Sequence, residues 1–411
     1  MKTLSWNRGS RLGQGPLSRR QFVTGASAAV AAASAFPAFV RGGDSARRYR
    51  VGVIGHTGRG DYGHGLDVVW RDVPGCEIVA VADADPKGLA AAASRLGNPK
   101  PFADYRKMLE EIKPDLLSIC PRFIDQHHDM VLAAVGRGVR GIYLEKPLCR
   151  TLEEADAMVA ACHKANVKLA VAHQTRYSPR LQVVRELIAS GKIGKLLEIR
   201  ARGKEDSRGG AEDLWVLGPH VLDLIQHLAG APQWCFGSVL EKGRPIAKND
   251  VRPGAEGIAL LAGDEVHATY RLAGGAMASF DSVREAGGGP RFGIWIFGSK
   301  GVIEMGTNYM PPAYLLPHAS WSVPRGKKNW LEITSAGVGK PEPLTETTPH
   351  HGNVAAVKDL IHAVENNAKP LADITDARTA LEMVVAVFES QRTGQPVRFP
   401  LANRMDPLGM M

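Results

Sequence analysis

The chain has 411 residues, of which 44% are hydrophobic, and this length and composition provide for two ordinary globular domains, each with its own core. The hydrophobic content excludes a disordered protein. The formal net charge is +9, but residues 1–50 contribute +8 of it, which leaves +1 for the other 361 residues. A partnership with nucleic acid is therefore not expected, because the globular part is close to neutral.

The N-terminal segment, residues 1–48, is predicted to be an export signal followed by a linker. Residues 18–23 read SRRQFV, and the paired arginines precede an uncharged run, 21–40, that is rich in Ala and Ser. A basic segment, a moderately apolar segment and small residues at 33–35 are typical of a secretion signal, here of the twin-arginine type. We expect a periplasmic or otherwise exported protein that uses the twin-arginine export machinery. Because the uncharged run is about long enough to span a bilayer, an uncleaved membrane anchor is one alternative, and a chance pair of arginines is the other.

Residues 49–175 alternate strand-like and helix-like segments. Strands are predicted at 49–55, 77–83, 114–120, 141–145 and 167–172, and helices at 66–71, 86–96, 104–112, 125–137 and 151–165. Repeated β-α units with continuous apolar strands indicate a parallel sheet covered on both faces. We therefore predict an α/β fold class for this part, a doubly wound Rossmann domain.

The pattern changes in residues 176–411. A helix at 180–190, a strand at 195–203, a charged loop at 204–213 and a helix at 219–229 precede strand-like stretches at 265–272, 276–283 and 292–299. Residues 306–350 are predicted to form a long loop, before two closing helices near 352–366 and 375–391. Antiparallel strands with few helices predict a C-terminal α+β domain for substrate binding and oligomerisation, built on a mainly antiparallel sheet.

Glycines follow the first strand, where a dinucleotide-binding turn would begin. The match to G-x-G-x-x-G is imperfect, and the candidate cofactor-binding residues are Gly55, Thr57, Gly58 and Gly60. Such a turn lets a pyrophosphate approach backbone N–H groups at a helix N-terminus. A glycine-rich turn without a ligand is the alternative.

An acid at the end of the second strand supports the nucleotide hypothesis. Asp83 lies 23 residues after Gly60, near the place where an acid binds the adenosine ribose hydroxyls. Because a carboxylate repels a 2′-phosphate, NAD is favoured over NADP. Asp85 is the other candidate for binding the ribose hydroxyls. The alternative is that both acids only cap the next helix.

The segment 142–148, IYLEKPL, places two charges at the end of a buried strand. Glu145 and Lys146 follow the apolar run, and Pro147 prevents a simple continuation of the strand. Doubly wound sheets bind ligands beyond the carboxyl ends of their strands. A lysine at that edge can stabilise a developing alkoxide, or can relay a proton if desolvation lowers its pKa.

These features together resemble the Gfo/Idh/MocA oxidoreductases, which include glucose–fructose oxidoreductase and inositol dehydrogenase. The similarity covers nearly the whole chain after the signal and includes the glycine turn, the acid after the second strand, and the segments 120–131, 145–147, 175–179 and 218–224. The resemblance implies that Lys146 lies over the nicotinamide and bonds the reacting hydroxyl or ketone, with Glu145 and Pro147 setting the turn. It also implies that 120–131 is a Pro-x-x-x-His-like segment on the nicotinamide side, with Pro121 and His128 as cofactor contacts.

A second candidate group lies on the helix predicted near 218–230. His220 and Asp223 are side by side in its first turn, and the helix N-terminus disfavours a protonated imidazole, which suits His220 as a general base. The family pattern has an Asp where this chain has Val216. We expect the role of that carboxylate to pass to one of three acids, Glu212, Asp213 or Asp223. A structural, helix-capping role is the alternative for His220.

Substrate contacts are predicted at the edge of the cleft and in the charged loop. Arg176 and Tyr177 follow the last strand of the first domain, and Lys204 leads the loop 203–215, whose charges could bind sugar hydroxyls; a solvated loop is equally compatible with the sequence. Two His-His pairs, at 127–128 and 350–351, have no partners at metal-ligand spacing, so no metal site is predicted.

The sequence thus predicts an exported NAD-dependent oxidoreductase that acts on a hydroxyl of a sugar or polyol, with Lys146 and His220 as the acid–base pair. Because little free NAD is available outside the cytoplasm, the cofactor is expected to be loaded before export, held tightly and regenerated in each turnover. A redox-neutral, NAD-dependent glycoside hydrolase is one alternative, and a non-catalytic sugar-binding or scaffold protein is another. The family resemblance also implies a homo-oligomer.

Overall fold

The computed structural model describes residues 48–286, 291–322 and 330–411. The predicted export signal at 18–23 and its uncharged run lie outside the described residues. Within the described ranges, no helix is both long and apolar enough to cross a membrane.

A parallel sheet is formed by the first half of the described chain. Its strands are β1 Tyr49–Ile54, β2 Cys76–Ala82, β3 Lys100–Phe102, β4 Leu116–Ile119, β5 Gly141–Leu144 and β6 Lys168–Val171. The helices between them are α1 Pro86–Arg95, α2 Tyr105–Ile112, α3 His127–Gly136 and α4 Leu152–Ala165. The strand order is β3-β2-β1-β4-β5-β6. The order reverses between β1 and β4, which is the switch point where doubly wound sheets bind ligands. The predicted Rossmann fold is confirmed.

A larger, mostly antiparallel sheet follows. The helices of this second half are α5 Pro179–Ala189, α6 Ala211–Val216, α7 Gly218–Ala229, α8 Pro349–Asn366 and α9 Ile374–Thr393. Its strands are β7 Leu196–Arg202, β8 Pro232–Glu241, β9 Arg244–Pro245, β10 Arg252–Pro253, β11 Leu260–Leu261, β12 Glu265–Leu272, β13 Met277–Val283, β14 Gly293–Gly298, β15 Gly301–Gly306, β16 Ala313–Leu316, β17 Leu331–Thr334, β18 Gly337–Val338 and β19 Val397–Arg398. The order in the sheet is β18-β17-β16-β15-β14-β7-β13-β12-β8-β19, with β9 beside β8. Only the pair β7 and β13 is parallel within the described part of this sheet. The predicted α+β class is confirmed.

The helix expected at 66–71 is not α-helical. Residues 55–68 form successive turns, and only a short 3-10 helix, Val69–Asp72, follows them. Gly58, Gly60, Gly63 and Gly65 all have positive φ, which an α-helix cannot contain. The glycine turn therefore ends without the helix N-terminus that its sequence suggested.

Two further differences concern the second half of the chain. The loop expected at 306–350 contains the short strands β16 to β18, which extend one edge of the large sheet. Helix α8 packs on the parallel sheet, because its buried Ala356, Val357 and Leu360 share one core cluster with Tyr49 and Val51. The first sheet is thus completed by a helix from the range predicted to form the second domain.

Helix α7 carries the second predicted site and is firmly placed. Pro219 stands in its first turn, and Gly230 with a φ of 86° ends it, as expected for these residue types. Its apolar residues are buried between the large sheet and α9. The helix therefore holds His220 in a fixed position at its N-terminus.

Candidate active site

The two segments that carry the Lys146 and His220 side chains meet at one cavity. Glu145 and Lys146 follow β5 at the carboxyl edge of the parallel sheet, and both are buried, with 1% and 6% exposure. A cavity of about 320 Å³ lies beside them, and Lys146, Lys204 and His220 line it together. Glu145 lines the same cavity, so the structure brings together four of the predicted site residues.

Lys146 is held by a backbone group. Its Nζ donates to the carbonyl oxygen of Val216 at 3.2 Å, and Val216 is the last residue of α6, where helical carbonyls lack intrahelical partners. Burial lowers the pKa of the Lys146 ammonium, and the neighbouring Glu145 carboxylate opposes this shift. The carbonyl therefore orients the ammonium at the position where the family places a carboxylate, without adding a full negative charge.

The acids proposed to replace that carboxylate are engaged elsewhere. Asp213 accepts hydrogen bonds from the Glu205 backbone N–H at 3.0 Å and from Ser282 Oγ at 2.7 Å. The Glu212 carboxyl has a raised pKa because it is partly buried, and it is not among the residues that line the Lys146 cavity. The contact with Lys146 that was expected from one of these acids is made here by the carbonyl of Val216.

His220 is a neutral imidazole in this environment. Burial lowers its pKa well below the ordinary value, and the charges of Lys146, His173 and His64 lower it further. Its ring lies 5.8 Å from the His173 ring and 6.2 Å from the Phe292 ring, measured between centroids. An unprotonated imidazole beside an ammonium can accept a proton from a substrate hydroxyl that the ammonium polarises.

Asp223 lies behind this site and does not face the cavity. Its carboxylate is buried, accepts from Arg176 Nη1 at 2.9 Å, and lies 3.5 Å from His173 Nδ1. Burial opposes its ionisation, but the charges of His173 and Arg176 hold its pKa below the ordinary range. We therefore assign Asp223 as a positioning residue for His173 and α7, in place of the catalytic role expected from the sequence.

The predicted substrate residues Arg176 and Tyr177 also have internal partners. Arg176 donates to Asp223, and it further contacts Asp376 and the Leu371 carbonyl at 2.9 and 2.5 Å. The Tyr177 hydroxyl donates to Asp359 at 3.3 Å. The cleft-edge prediction is corrected, because α8, α9 and the loop between them supply partners of both side chains. Of the three predicted substrate contacts, Lys204 alone lines the cavity.

His64 was missed by the sequence analysis, although it lines the same cavity. Its backbone N–H and its Nδ1 both lie within hydrogen-bond distance of Glu145 Oε2, at 3.2 and 3.1 Å. Burial opposes the ionisation of Glu145, yet the hydrogen bond and charge of His64 lower its pKa. The signal available in the sequence was the motif GDYGHG, whose histidine follows a glycine-rich turn.

In the segment 120–131, His127 and not His128 contacts the Glu-Lys-Pro turn. His127 Nε2 lies 2.7 Å from the Pro121 carbonyl, and its Nδ1 lies 3.0 Å from the Pro147 carbonyl. His128 instead pairs with Asp129 at 2.9 Å near the start of α3. The adjacent histidines point in different directions because a helix turns about 100° per residue, so only the first can join Pro121 to the Glu-Lys-Pro turn.

The glycine turn and Asp83 form a second cavity, of about 330 Å³, at the ends of β1 and β2. Asp83 accepts from Thr57 N and Oγ1, at 3.1 and 2.7 Å, and from the Tyr62 hydroxyl at 2.9 Å. Asp85 is the N-cap of α1 and accepts from Gly88 N at 2.6 Å. The helix-capping role thus belongs to Asp85, and of these two acids Asp83 is the one that lines the cavity.

The residues fit an NAD cofactor. Gly55 and Asp83 line one cavity at the carboxyl edge of the sheet, and Lys146 lines the other. At Gly60 a Cβ would lie 2.2 Å from the Arg122 backbone nitrogen, whereas Gly58 faces open space. In residues 48–286, 291–322 and 330–411, no group of three or more His, Cys, Asp or Glu side chains is placed to hold a metal ion.

Curated relatives include several sugar dehydrogenases. The chain is 34% identical over 174 residues to D-apiose dehydrogenase of Paraburkholderia graminis, which covers 39% of this chain and 45% of the relative. It is 28% identical over 165 residues to levoglucosan dehydrogenase of Pseudarthrobacter phenanthrenivorans, with 36% and 42% covered, and 29% identical over 198 residues to D-glucoside 3-dehydrogenase of Escherichia coli, with 44% and 54% covered. The matches thus span about half the length of these relatives.

Solved structures share the fold over most of the chain. A levoglucosan dehydrogenase in complex with NADH and L-sorbose has a TM-score of 0.70 at 21% identity, and the match covers 86% of this chain and 99% of that one. An oxidoreductase from Agrobacterium radiobacter in complex with NAD⁺, L-tartaric acid and magnesium has a TM-score of 0.64 at 19% identity, with 89% and 100% covered.

Two family models match nearly the whole described chain. Residues 49–173 match the NAD-binding Rossmann fold of an oxidoreductase family, and residues 185–399 match the C-terminal alpha/beta domain of the same family. Together with the strand order and the Glu-Lys-Pro edge, these matches show that the chain belongs to the Gfo/Idh/MocA oxidoreductase family, with an NAD-binding domain at its N-terminal side.

Proposed function

We propose that the protein oxidises a secondary hydroxyl of a sugar or polyol, with NAD as the hydride acceptor. The observation that carries this proposal is the pairing of a buried ammonium, Lys146, with a neutral imidazole, His220, in one cavity at the carboxyl edge of the NAD-binding sheet. The names of the relatives, among them D-apiose, levoglucosan and glucoside dehydrogenases, support a carbohydrate substrate.

The proton chemistry follows from the two side chains. Bound NAD supplies the acceptor for the hydride that leaves the substrate carbon. Lys146, held by the Val216 carbonyl, donates a hydrogen bond to the reacting oxygen and stabilises the charge that develops there. The free ring nitrogen of His220 takes the hydroxyl proton. In the reverse reaction the same nitrogen returns the proton to the carbonyl oxygen.

The cavity suits a polyhydroxylated substrate. Gln174, Thr175 and Asn308 contribute polar groups to its wall, and Phe292 contributes an apolar surface. Lys204 adds a cation whose Nζ lies 3.3 Å from Asp206. Such a set of donors and acceptors around one apolar surface is typical of a site for a small polar ligand.

We further propose that the protein is exported with NAD already bound. The twin-arginine-type signal at 18–23 supports export of a folded protein through that machinery. Because an exported enzyme has little NAD to exchange with, one bound cofactor has to be reduced and reoxidised within each turnover. The purified protein, once denatured, is expected to release close to one nucleotide per chain, measured by chromatography. Release of no nucleotide would contradict tight cofactor binding.

A homo-oligomer is proposed from the open face of the large sheet. Phe236, Trp295 and Tyr314 lie on this face with 46%, 39% and 37% exposure, and Leu331 at its edge is 41% exposed. Exposed large apolar side chains in one region are typical of an association surface. Sedimentation of the purified protein tests this proposal, and a monomer at micromolar concentration would contradict it.

A redox-neutral NAD-dependent glycoside hydrolase is the second candidate function. In that reaction a hydroxyl is oxidised, the aglycone is eliminated, water adds and the ketone is reduced again. The observation that favours it is a second histidine–carboxylate pair, His64 and Glu145, in the cavity of Lys146 and His220. A non-catalytic scaffold was suggested only by the missing carboxylate at Val216, and the Lys146–carbonyl contact weakens that reading.

One experiment separates these functions. The enzyme as purified is incubated in D₂O with sugars, polyols and glycosides, and the products are identified by mass spectrometry. A keto-sugar or lactone without cleavage supports the oxidoreductase. Release of the aglycone, with deuterium at the carbon next to the transient ketone, supports the glycoside hydrolase. Absence of any product with the whole panel would contradict both.

A further inference from the structure

A second proton-transfer group is built into the cavity. His64 is half exposed, at 52%, whereas the Glu145 carboxylate that contacts its Nδ1 is 1% exposed. The pKa of Glu145 is lowered, so its carboxylate is ionised and can only accept a hydrogen bond. In neutral His64 the proton therefore lies on Nδ1, which contacts that carboxylate. The Nε2 lone pair is then the acceptor of the ring. This arrangement of a histidine oriented by a carboxylate is the one used by general bases.

The position of His64 is fixed by its surroundings. Asn353 is fully buried and donates through Nδ2 to the His64 carbonyl at 3.0 Å. The Asn353 Oδ1 in turn accepts from the Tyr143 hydroxyl at 2.8 Å and from Gln174 Nε2 at 2.7 Å. Gly63 has a φ of 61°, and a Cβ there would lie 2.6 Å from the carboxylate that orients the histidine. Asn353 therefore fixes the backbone of His64, and Glu145 orients its ring.

We propose that His64 removes the proton from the carbon next to the carbon that is oxidised. This inference rests on the proposed oxidoreductase function. Oxidation itself needs one base, for the hydroxyl proton, and His220 provides it. Once the ketone has formed, the neighbouring C–H bond is acidic: its proton passes to His64 Nε2, and its electron pair moves into an enolate. The charge on the enolate oxygen is stabilised by the Lys146 ammonium.

The fate of the enolate defines the substrate class. Without a leaving group, a solvent proton returns to the carbon, and the only result is hydrogen exchange. With an alkoxy group on the next carbon, the enolate re-forms the ketone, and the C–O bond breaks with its electron pair on the departing oxygen, which takes a proton. Water then adds to the double bond, and the hydride returns to the ketone, so that no net oxidation occurs. The site therefore favours glycosides over free polyols.

The test measures hydrogen exchange separately from oxidation. The enzyme with bound NAD is incubated in D₂O with levoglucosan and methyl glucosides, and mass spectrometry of the recovered sugar measures deuterium at the carbon next to the oxidised one. Formation of reduced nicotinamide is followed by absorbance. The informative variant is His64→Asn, because the Asn amide still donates to Glu145 but has no group equivalent to Nε2. His362→Asn is the control, since His362 is exposed on α8 and its Nδ1 lies 3.0 Å from Asn366 Nδ2.

We expect wild type and His362→Asn to exchange deuterium into the sugar. In His64→Asn the ratio of deuterium exchange to nicotinamide reduction should fall by about 100-fold or more. The inference is overturned if His64→Asn exchanges at the wild-type rate, or if exchange and nicotinamide reduction fall together, which would assign His64 to cofactor binding. Wild type that reduces nicotinamide without exchange also overturns it. Failure of wild type to reduce nicotinamide with any sugar instead contradicts the proposed function itself.

Discussion

At the residue scale, a main-chain carbonyl occupies the functional position of a side chain. The sequence identified Lys146 and His220, and both line one cavity. It could not show that Val216 would contact the lysine through its carbonyl oxygen, because that contact depends on where α6 ends and not on the type of side chain. His64 was missed for a related reason, since its function depends on a turn that brings it to Glu145 across 81 residues of sequence.

The pH dependence of kcat/KM is expected to reflect both shifted groups. Because burial and nearby charges lower the pKa of His220 below 6.5, the base remains unprotonated at neutral pH, and activity should fall only as pH drops well below that value. Because burial lowers the pKa of Lys146 below 10.5, the alkaline loss should begin below it. Values of kcat/KM measured between about pH 4 and about pH 11 test both expectations. An acid limb centred at or above pH 6.5 would contradict it.

At the element scale, the glycine turn shows what a motif can and cannot predict. Its position after β1 and the acid after β2 were predicted correctly, because both follow from strand pattern and spacing. Its conformation was not, since four glycines with positive φ replace the expected helix start by turns. The requirement for glycine also differs along the turn, because only some of these positions approach other backbone atoms.

A matched pair of substitutions tests that difference. Gly60→Ala should lower the free energy of unfolding by about 3 kcal/mol, since it combines a φ of 91° with a Cβ only 2.2 Å from the Arg122 backbone nitrogen. Gly58→Ala carries the positive φ alone and faces open space, so we expect a loss of about 1 kcal/mol. Denaturant unfolding measures both. Equal losses of unfolding free energy would contradict this expectation, because they would show that the backbone at Arg122 moves away from the added Cβ at little cost.

Helix α7 is expected to depend on its buried ion pair. Asp223→Asn removes the buried charge that faces Arg176 and His173, and should cost about 3 kcal/mol of unfolding free energy, because the buried Arg176 cation then keeps only the more exposed Asp376 of its two described acidic partners. Since the pKa of Asp223 is depressed in the folded state, its stabilisation is present above pH of about 3.9 and is lost as pH falls below that. Asp376→Asn is the control, because Asp376 is more exposed, at 26%. A larger loss in the control would refute the assignment.

At the scale of the whole molecule, the two sheets share their helices. The chain order of strands and helices sufficed to predict the parallel sheet and the α+β half. The spacing of apolar residues within each segment indicates whether it is a strand or a helix and which of its residues are buried. It could not predict that α8 returns to the first sheet, or that the residues after it cover Arg176 and Tyr177. Those contacts join positions nearly 200 residues apart, and local patterns carry no information about them.

The central claim is that Lys146 acts in hydride transfer at the edge of the NAD-binding sheet. The most direct test is the single-turnover formation of reduced nicotinamide by Lys146→Met, with the sugar that wild type oxidises fastest and with Lys358→Met on the exposed face of α8 as control. The account predicts a fall of about 100-fold or more in Lys146→Met, with bound NAD and unfolding free energy little changed, and a wild-type rate in the control. A wild-type rate in Lys146→Met would contradict the account.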